Sequence, residues 1–384
     1  MNIRFEELTA PQRAGGIESA TRGLVVSLKN RGVSVVRSSL ETDVGKCRPD
    51  LVHFHGTWSP ALAIRWLFWR LRKVPCVISP HGMLEPWALA HKSLKKKVAW
   101  HLYQRHILNW ASALHATSVR EADNLRQLGL MVPIFTIPWG IEVVESREEL
   151  SVDSCQWSVE DGEVGHPDAG NSVKGESGDD VEATAHGQPT TDNRPRVRTV
   201  LFVGRIYPVK GLPMLVEAWA KVGPMGWKMK IVGPDEAGHR AEVEALISEA
   251  KLEGDFEFTG ALEGEALSKT YADADLLILP SHTENFGLVV GEALAHGLPV
   301  ITTQGAPWEL LETARCGWWA PVSVDGIAAA LDDATHRSPE ELIVMGARGR
   351  AAVAERFAWD RIAGQFIDCY SWVLGEGPQP GCVS

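Results

Sequence analysis

Short apolar runs alternate along this chain with longer stretches in which apolar residues recur every three or four positions, and the alternation is interrupted once. Runs of four to six residues rich in β-branched and aromatic side chains fit buried strands. The longer stretches fit helices with one apolar face. The pattern predicts strands over 3–8, 33–37, 51–55, 76–79, 114–117 and 134–137, with helices such as 19–30 and 93–110 between them. Beyond the interruption, strands are expected at 199–203, 228–232, 256–259, 276–279 and 300–303, with helices such as 212–221 and 241–251 intervening. Such alternation belongs to open parallel sheets with helices on both faces, an α/β class. Two doubly wound domains are therefore expected, at 1–143 and 197–357. In the remaining 358–384, Trp359, Ile362, Phe366, Tyr370 and Val373 recur at three- and four-residue steps. They give a last helix one apolar face to pack back on the first domain.

The interruption, 144–196, is rich in Gly, Ser, Thr, Asp and Glu and has almost no apolar periodicity, so it reads as a solvated linker or insert. It also explains the charge. The formal net charge is −11, and between Glu145 and Asp192 thirteen carboxylates face two cations, Arg147 and Lys174. The rest of the chain is balanced, which argues against nucleic acid as a partner. Six scattered cysteines form no CxxC pair and no Cys/His cluster, so neither a structural metal nor a disulfide framework is expected. No run of about 20 apolar residues is present, and the first residues lack the h-region of a secretory signal. A cytoplasmic location is expected.

The sharpest chemical signal is Pro280-Ser281-His282-Thr283-Glu284-Asn285-Phe286-Gly287-Leu288-Val289-Val290-Gly291-Glu292. A strand runs into a polar loop, and the loop opens a helix near Gly287. In open α/β sheets ligands bind beyond the carboxyl ends of strands, and a helix start offers unpaired N–H groups to phosphate. Gly287 lets a ligand approach the backbone. Glu284 and Glu292, eight positions apart, are acceptors that can grip different hydroxyl groups of one extended ligand. A second strand ends in Phe202-Val203-Gly204-Arg205, followed by Lys210-Gly211, two cations close enough to share one pyrophosphate.

These motifs resemble the retaining GT-B glycosyltransferases of family four, also called group 1. Glu284 and Glu292 are similar to the family's E-x7-E pair, and the segment from Gly204 to Lys210 resembles its phosphate loop. Gly15-Gly16 resembles the loop after the first strand, and Gly305-Ala306-Pro307-Trp308-Glu309 also matches. Pro138-Trp139-Gly140 matches the end of the acceptor-side domain, with Trp139 in place of the usual Asn. The resemblance covers nearly the whole chain outside the acidic insert. It implies GT-B architecture, with two Rossmann-like domains facing across a cleft, an acceptor side first and a donor side second. It implies His81, Arg205, Lys210 and Glu284 as catalytic residues, and Gly16, Gly204, Phe286, Gly287, Leu288 and Glu292 as donor-binding ones. The substrate implied is a nucleotide-diphosphate sugar, with no separate cofactor. The acceptor implied is a glycan or lipid-linked molecule, with retention of configuration, in cell-surface polysaccharide or lipopolysaccharide synthesis. A catalytically silent nucleotide-sugar-binding subunit, or a phosphorylase or epimerase on the same fold, are the alternatives.

Four further features bear on that picture. His81, in Ser79-Pro80-His81-Gly82, ends another strand and is a candidate contact to the donor sugar. His53 and His55 share one face of their strand, which leaves core and rim both open, while Glu85 and Trp87 are candidates to shape an acceptor site. Asp273-Ala274-Asp275 matches a metal-binding DxD pattern, but the cations and the helix start already answer a diphosphate's charge, so no metal is expected. Finally, residues 60–73 are basic and aromatic-rich, and Lys92, Lys95, Lys96 and Lys97 follow. Together they could rest on the inner face of a membrane, or form a packed helix with solvated ends.

Overall fold

The computed structural model describes residues 1–7, 16–38, 48–90, 93–143 and 197–384. The insert at 144–196, Lys92 and position 8 of the first expected strand lie outside them. The first part contains β1 (Asn2–Glu7), α1 (Gly16–Asn30), β2 (Ser34–Ser38), β3 (Leu51–His55), α2 (Pro60–Leu71), β4 (Cys76–Ser79), α3 (Pro86–Ala90), α4 (Ser93–Ala99), α5 (Arg105–Asn109), β5 (Ala113–Ala116), α6 (Val119–Gln127) and β6 (Ile134–Thr136). The second contains β7 (Arg198–Val203), α7 (Leu212–Val222), β8 (Trp227–Val232), α8 (His239–Glu249), β9 (Phe256–Gly260), α9 (Gly264–Asp273), β10 (Leu276–Leu279), α10 (Leu288–Ala295), β11 (Val300–Thr303), α11 (Leu310–Thr313), β12 (Gly317–Ala320), α12 (Val324–His336), α13 (Pro339–Phe357) and α14 (Trp359–Val373).

Each part builds one six-stranded sheet, ordered β2-β1-β3-β4-β5-β6 and β12-β11-β10-β7-β8-β9, and every pair is parallel. The strand order reverses between β1 and β3 in the first sheet and between β7 and β10 in the second. Loops diverge there, which opens a crevice at the strands' carboxyl ends.

Two departures from the sequence reading have local causes. β12 was not expected: its four residues sit between Arg315-Cys316 and Pro321, and two of them are tryptophans whose indoles reach Asp333 and the Ala306 carbonyl. The single helix expected over 93–110 is broken by a π-helical turn, Trp100–Gln104, which lies between α4 and α5. There the Gln104 Oε1 leaves its helix to accept the Trp58 N–H at 2.9 Å.

The first sheet is covered on one face by α2 and α5, around Val52, Phe54, Trp66, Trp69 and Leu108. On its other face α1 and α14 pack together. That second core, with Phe5, Leu24, Trp139, Phe366 and Tyr370, is continuous with the core of the second sheet. Helix α14 therefore belongs by packing to the first sheet, and the Val383 backbone bridges Phe135 on β6.

Candidate active site

The loops leaving β7 and β10 border the second sheet's switch point, and they are held together by a position without a side chain. Gly211 has φ 70°, and a Cβ there would stand 2.1 Å from the Pro280 carbonyl oxygen. The His282 N–H donates to the Val209 carbonyl at 2.8 Å and closes the seam. This brings the 3₁₀ turn Pro208–Lys210 against the β10 loop. Lys210 Nζ lies 2.6 Å from Glu284 Oε1, and Ser281 Oγ donates to the same oxygen at 2.5 Å. Both side chains are largely shielded, at 15% and 12% exposure. Charges this far from water must be paired, so the lysine and glutamate form a unit.

Gly287, with φ 81°, starts α10, and no side chain caps the helix. The Val290 N–H turns back to the Gly287 carbonyl at 3.0 Å, and the N–H groups before it are those a helix start leaves without a helical partner. Glu292 lies in the second turn. Its Oε2 accepts the Tyr271 hydroxyl at 2.8 Å, and burial raises its pKa against the opposing effect of that bond. Arg205, an exposed side chain, is held by Glu236 and lies over the Tyr207 ring, 5.8 Å from its centroid. The Phe286 side chain is 5% exposed, and its ring forms a triangle with those of Trp308 and Phe357, at 5.2 and 5.7 Å. Its side chain therefore anchors the loop, and any contact to a donor falls to its backbone.

The first domain meets these loops directly. A Cβ on Gly16 would come within 3.0 Å of Leu288 Cδ1, which places that glycine at the start of α10. The same test puts Gly82 3.0 Å from Asn285 Cβ, so the His81 loop lies beside the Glu284 loop. Asn285 Nδ2 donates to Thr117 Oγ1 at 2.7 Å, and Arg120 donates to the Glu284 carbonyl. Buried Glu121 ties this side together, accepting from Gly82 N at 2.7 Å and Thr117 N at 2.8 Å. Trp87 meets Tyr207 edge-on at 5.9 Å across the crevice.

His81 has φ 55°, a conformation costly for a residue with a Cβ and common at functional positions. Its ring lies nearly parallel to those of His55 and Trp139, with centroids 5.2 and 5.5 Å away, and burial lowers its pKa to about 3. His81 Nε2 and His55 Nδ1 are 3.1 Å apart. His53 and His55 are core residues and not rim, at 0% and 3% exposure. Glu85 is also buried, accepting from Asn124 Nδ2 at 2.6 Å, and burial raises its pKa. Of the DxD pair, Asp273 pairs with Lys269 at 2.8 Å and Asp275 accepts the Thr199 N–H at 2.7 Å. Among the described residues no three His, Cys, Asp or Glu side chains gather as a metal site would require.

Known proteins resemble this chain in sequence and in fold. Residues 197–336 match the family described as Glycosyl transferases group 1, and residues 37–140 match the Glycosyl transferase 4-like domain. The chain belongs to the group 1 glycosyltransferases. The D-inositol 3-phosphate glycosyltransferase of Segniliparus rotundus is 34% identical over 193 residues, 48% of this chain and 42% of that protein. The chain spans about half the length of the first curated relatives it matches. Sucrose-phosphate synthase from Thermosynechococcus elongatus superposes with a TM-score of 0.70 at 20% identity, over 98% of this chain and 100% of that one. HepE of Anabaena, solved with UDP and glucose, superposes at 0.68 with 18% identity, over 97% and 100%. These likenesses show the fold of this family member: GT-B, two Rossmann-like domains facing across a cleft.

Sequence reasoning missed the partners that complete the candidate site: Tyr271 on Glu292, Glu236 on Arg205, and Asn285, Thr117, Arg120 and Glu121 at the domain seam. Ser281 and Asn285 alone stood inside a motif that could have drawn attention to them.

Proposed function

We propose that this protein transfers a sugar from a nucleotide-diphosphate sugar to a glycan or lipid-linked acceptor, with retention, in the synthesis of a cell-surface polysaccharide or lipopolysaccharide. The observation that carries the reading is the Lys210–Glu284 pair at the second switch point, beside the uncapped start of α10. A diphosphate in the crevice offers Lys210 a second anion, and the N–H groups near Gly287 meet the same charge. Arg205 adds a mobile cation once it leaves Glu236. Glu284, freed in part from Lys210, accepts from hydroxyl groups of the donor sugar, and Glu292 accepts from the ribose. Gly16 and Gly204 keep the backbone close to the donor, with Leu288 beside Gly16.

In the reaction the bond from the anomeric carbon to the β-phosphate oxygen breaks, and the acceptor oxygen bonds to that carbon on the same face. The acceptor proton passes to the leaving phosphate. The developing negative charge is met by fixed dipoles and cations, so the step needs neither a metal nor a separate cofactor. His81, packed against the His55 and Trp139 rings, is the first domain's contribution to the sugar. Thermal shifts with UDP-, GDP- and ADP-sugars, followed by turnover assays with and without EDTA, test this reading. Binding of one sugar nucleotide, EDTA-resistant turnover and a product of retained anomeric configuration by NMR are expected. No stabilisation by any of the three classes overturns it.

A membrane-side acceptor is favoured by a specific surface. Ile64, Leu67 and Leu71 on α2 and Leu94, Val98 and Leu102 on α4 and the turn after it are exposed, each at 50% or more. Trp66 of α2 stacks on Trp110 just past α5 at 6.1 Å, which places the two stripes on one side of the first sheet. Arg70, Arg72, Lys73, Lys95 and Lys97 flank them. Apolar stripes bordered by cations suit an anionic bilayer surface. We infer that the protein works on the inner face of the cell membrane, held peripherally. Among the described residues no helix is long and apolar enough to cross one.

A further inference from the structure

Tyr271 is a buried residue whose polar end has a single use. It lies on α9, outside every motif that singled out the site, and is 2% exposed. A phenol at that depth needs a partner for its O–H, and the partner is Glu292 Oε2 at 2.8 Å. The ring is fixed from the other side. His296, at the end of α10, stacks on it at 4.9 Å and 24°. His296 is itself pinned at both nitrogens: Nδ1 lies 2.8 Å from the Glu292 carbonyl and Nε2 3.1 Å from Ser268 Oγ. A carbonyl only accepts, so Nδ1 carries the hydrogen, and in the neutral ring Nε2 accepts from the serine. The Tyr271 hydroxyl is thus aimed by packing, and the Glu292 carboxylate is held by one oxygen. No described side chain donates to its other oxygen, Oε1.

We propose that Tyr271, clamped by His296, is a positioning residue for nucleotide recognition: it holds one oxygen of Glu292 so that the other is presented to the paired hydroxyls of the ribose. This rests on the reading of Glu292 as the ribose acceptor given above. Without the phenol the carboxylate turns freely, and a ligand must spend binding free energy to align it. The phenol also stabilises the ionised carboxylate in a site where burial disfavours it. Tyr271 itself remains an O–H donor, because burial and then the Glu292 charge push its pKa well above the ordinary range.

The test measures dissociation constants of UDP, GDP and ADP, and of their 2′-deoxy forms, for the wild type, Glu292→Ala and Tyr271→Phe. In the wild type the tightest nucleotide should bind about tenfold or more tightly than its 2′-deoxy form, the scale of a hydrogen bond to a charged group. Glu292→Ala should remove that preference. Tyr271→Phe should weaken the ribonucleotide by roughly three- to tenfold while leaving the 2′-deoxy form nearly unchanged, so the preference shrinks. The deoxy form is an internal control, since general damage to the fold weakens both ligands alike. Equal weakening of both, or an unchanged preference in Tyr271→Phe while Glu292→Ala loses it, overturns the positioning role and leaves the Glu292 reading standing. A preference that survives in Glu292→Ala, or no binding by any of the three nucleotides, overturns the Glu292 reading and this inference with it.

Discussion

Lys210 and Glu284 are legible in sequence as separate residues and illegible as a pair, because they stand 74 positions apart. What joins them is Gly211, where a side chain would collide with the Pro280 carbonyl. Two predictions follow at this scale. On the proposed reading Lys210 faces the leaving diphosphate, so Lys210→Ala, which also leaves Glu284 poorly compensated, should lower kcat by about 10² or more. Steady-state kinetics at saturating donor check it, and wild-type turnover would refute the assignment. Gly211→Ala puts a Cβ at positive φ and 2.1 Å from a carbonyl oxygen, so the loops must part. Strain in that backbone region costs on the order of 1–3 kcal/mol before the clash is counted. Urea denaturation should show a loss of about 2 kcal/mol or more, with donor affinity reduced in parallel. The same division governs the rest of the site. Arg205 and Glu284 in loops and Glu292 in α10 belong to motifs whose spacing is local and readable. Their partners Glu236, Ser281 and Tyr271 are set by tertiary approach, and of these only Ser281 is near in sequence.

Elements were more readable than partners, because burial on both faces of a parallel sheet writes near-continuous apolar runs. Strands at 51–55, 76–79, 276–279 and 300–303 have the expected bounds. β12 escaped because Gly317 and two half-buried tryptophans make a weak four-residue run at the sheet's edge, where one side of the ladder stays unpaired. The helical period over 93–110 is real, but period alone does not show that Gln104 is drawn to the Trp58 backbone. Helix α2 shows what periodicity leaves open: Leu62, Trp66 and Trp69 face the core, while Ile64, Leu67 and Leu71 face outward. A helix that is apolar all round either buries both faces or has a second partner. Leu71 and Leu102 are each more than 70% exposed, so changing them removes no core contact. Leu71→Glu with Leu102→Glu should lower binding to vesicles of anionic lipid at least tenfold, since each leucine contributes about 1.5–3 kcal/mol on full burial. Melting temperature should be unchanged. Flotation of wild type and variant with 30% anionic vesicles, a composition of about the order used to mimic a charged leaflet, measures it; equal flotation of the two proteins would remove these stripes from the interface.

At the scale of the whole molecule, α14 is joined to the first sheet by a buried line of hydrogen bonds with one possible direction. His115 Nε2 lies 2.7 Å from the Ile137 carbonyl and must donate; its Nδ1 then accepts from Ser79 Oγ at 2.7 Å. The serine accepts from His53 Nε2 at 2.7 Å, and His53 Nδ1 accepts the Tyr370 hydroxyl at 2.7 Å. The two links in which a ring nitrogen accepts, at His115 Nδ1 and His53 Nδ1, require neutral imidazole. Burial is the first cause that lowers the pKa of these rings, to about 4 for His115 and well below the ordinary value for His53, with nearby histidines adding to it for His53. His55 and His81 are depressed in the same way. Folded, the four rings resist protonation; unfolded, each takes up a proton near pH 6.5. Below that pH the unfolded chain binds more protons, so stability falls on acidification and levels off only as pH passes the folded values. His115 alone accounts for a loss on the order of 3 kcal/mol between pH 6.5 and 4. Glu85, Glu121 and Glu292, whose pKa values burial raises, act in the opposite sense from about pH 4.5 upward and offset part of it. With four histidines against three carboxyls, melting temperature should drop steadily from pH 7 to pH 5. His115→Gln, which keeps a donor and an acceptor but cannot titrate, should flatten that slope even if it is less stable at pH 7. A wild-type melting temperature independent of pH across this window would show that the rings are not held neutral, and the directed hydrogen-bond line to α14 would have to be abandoned.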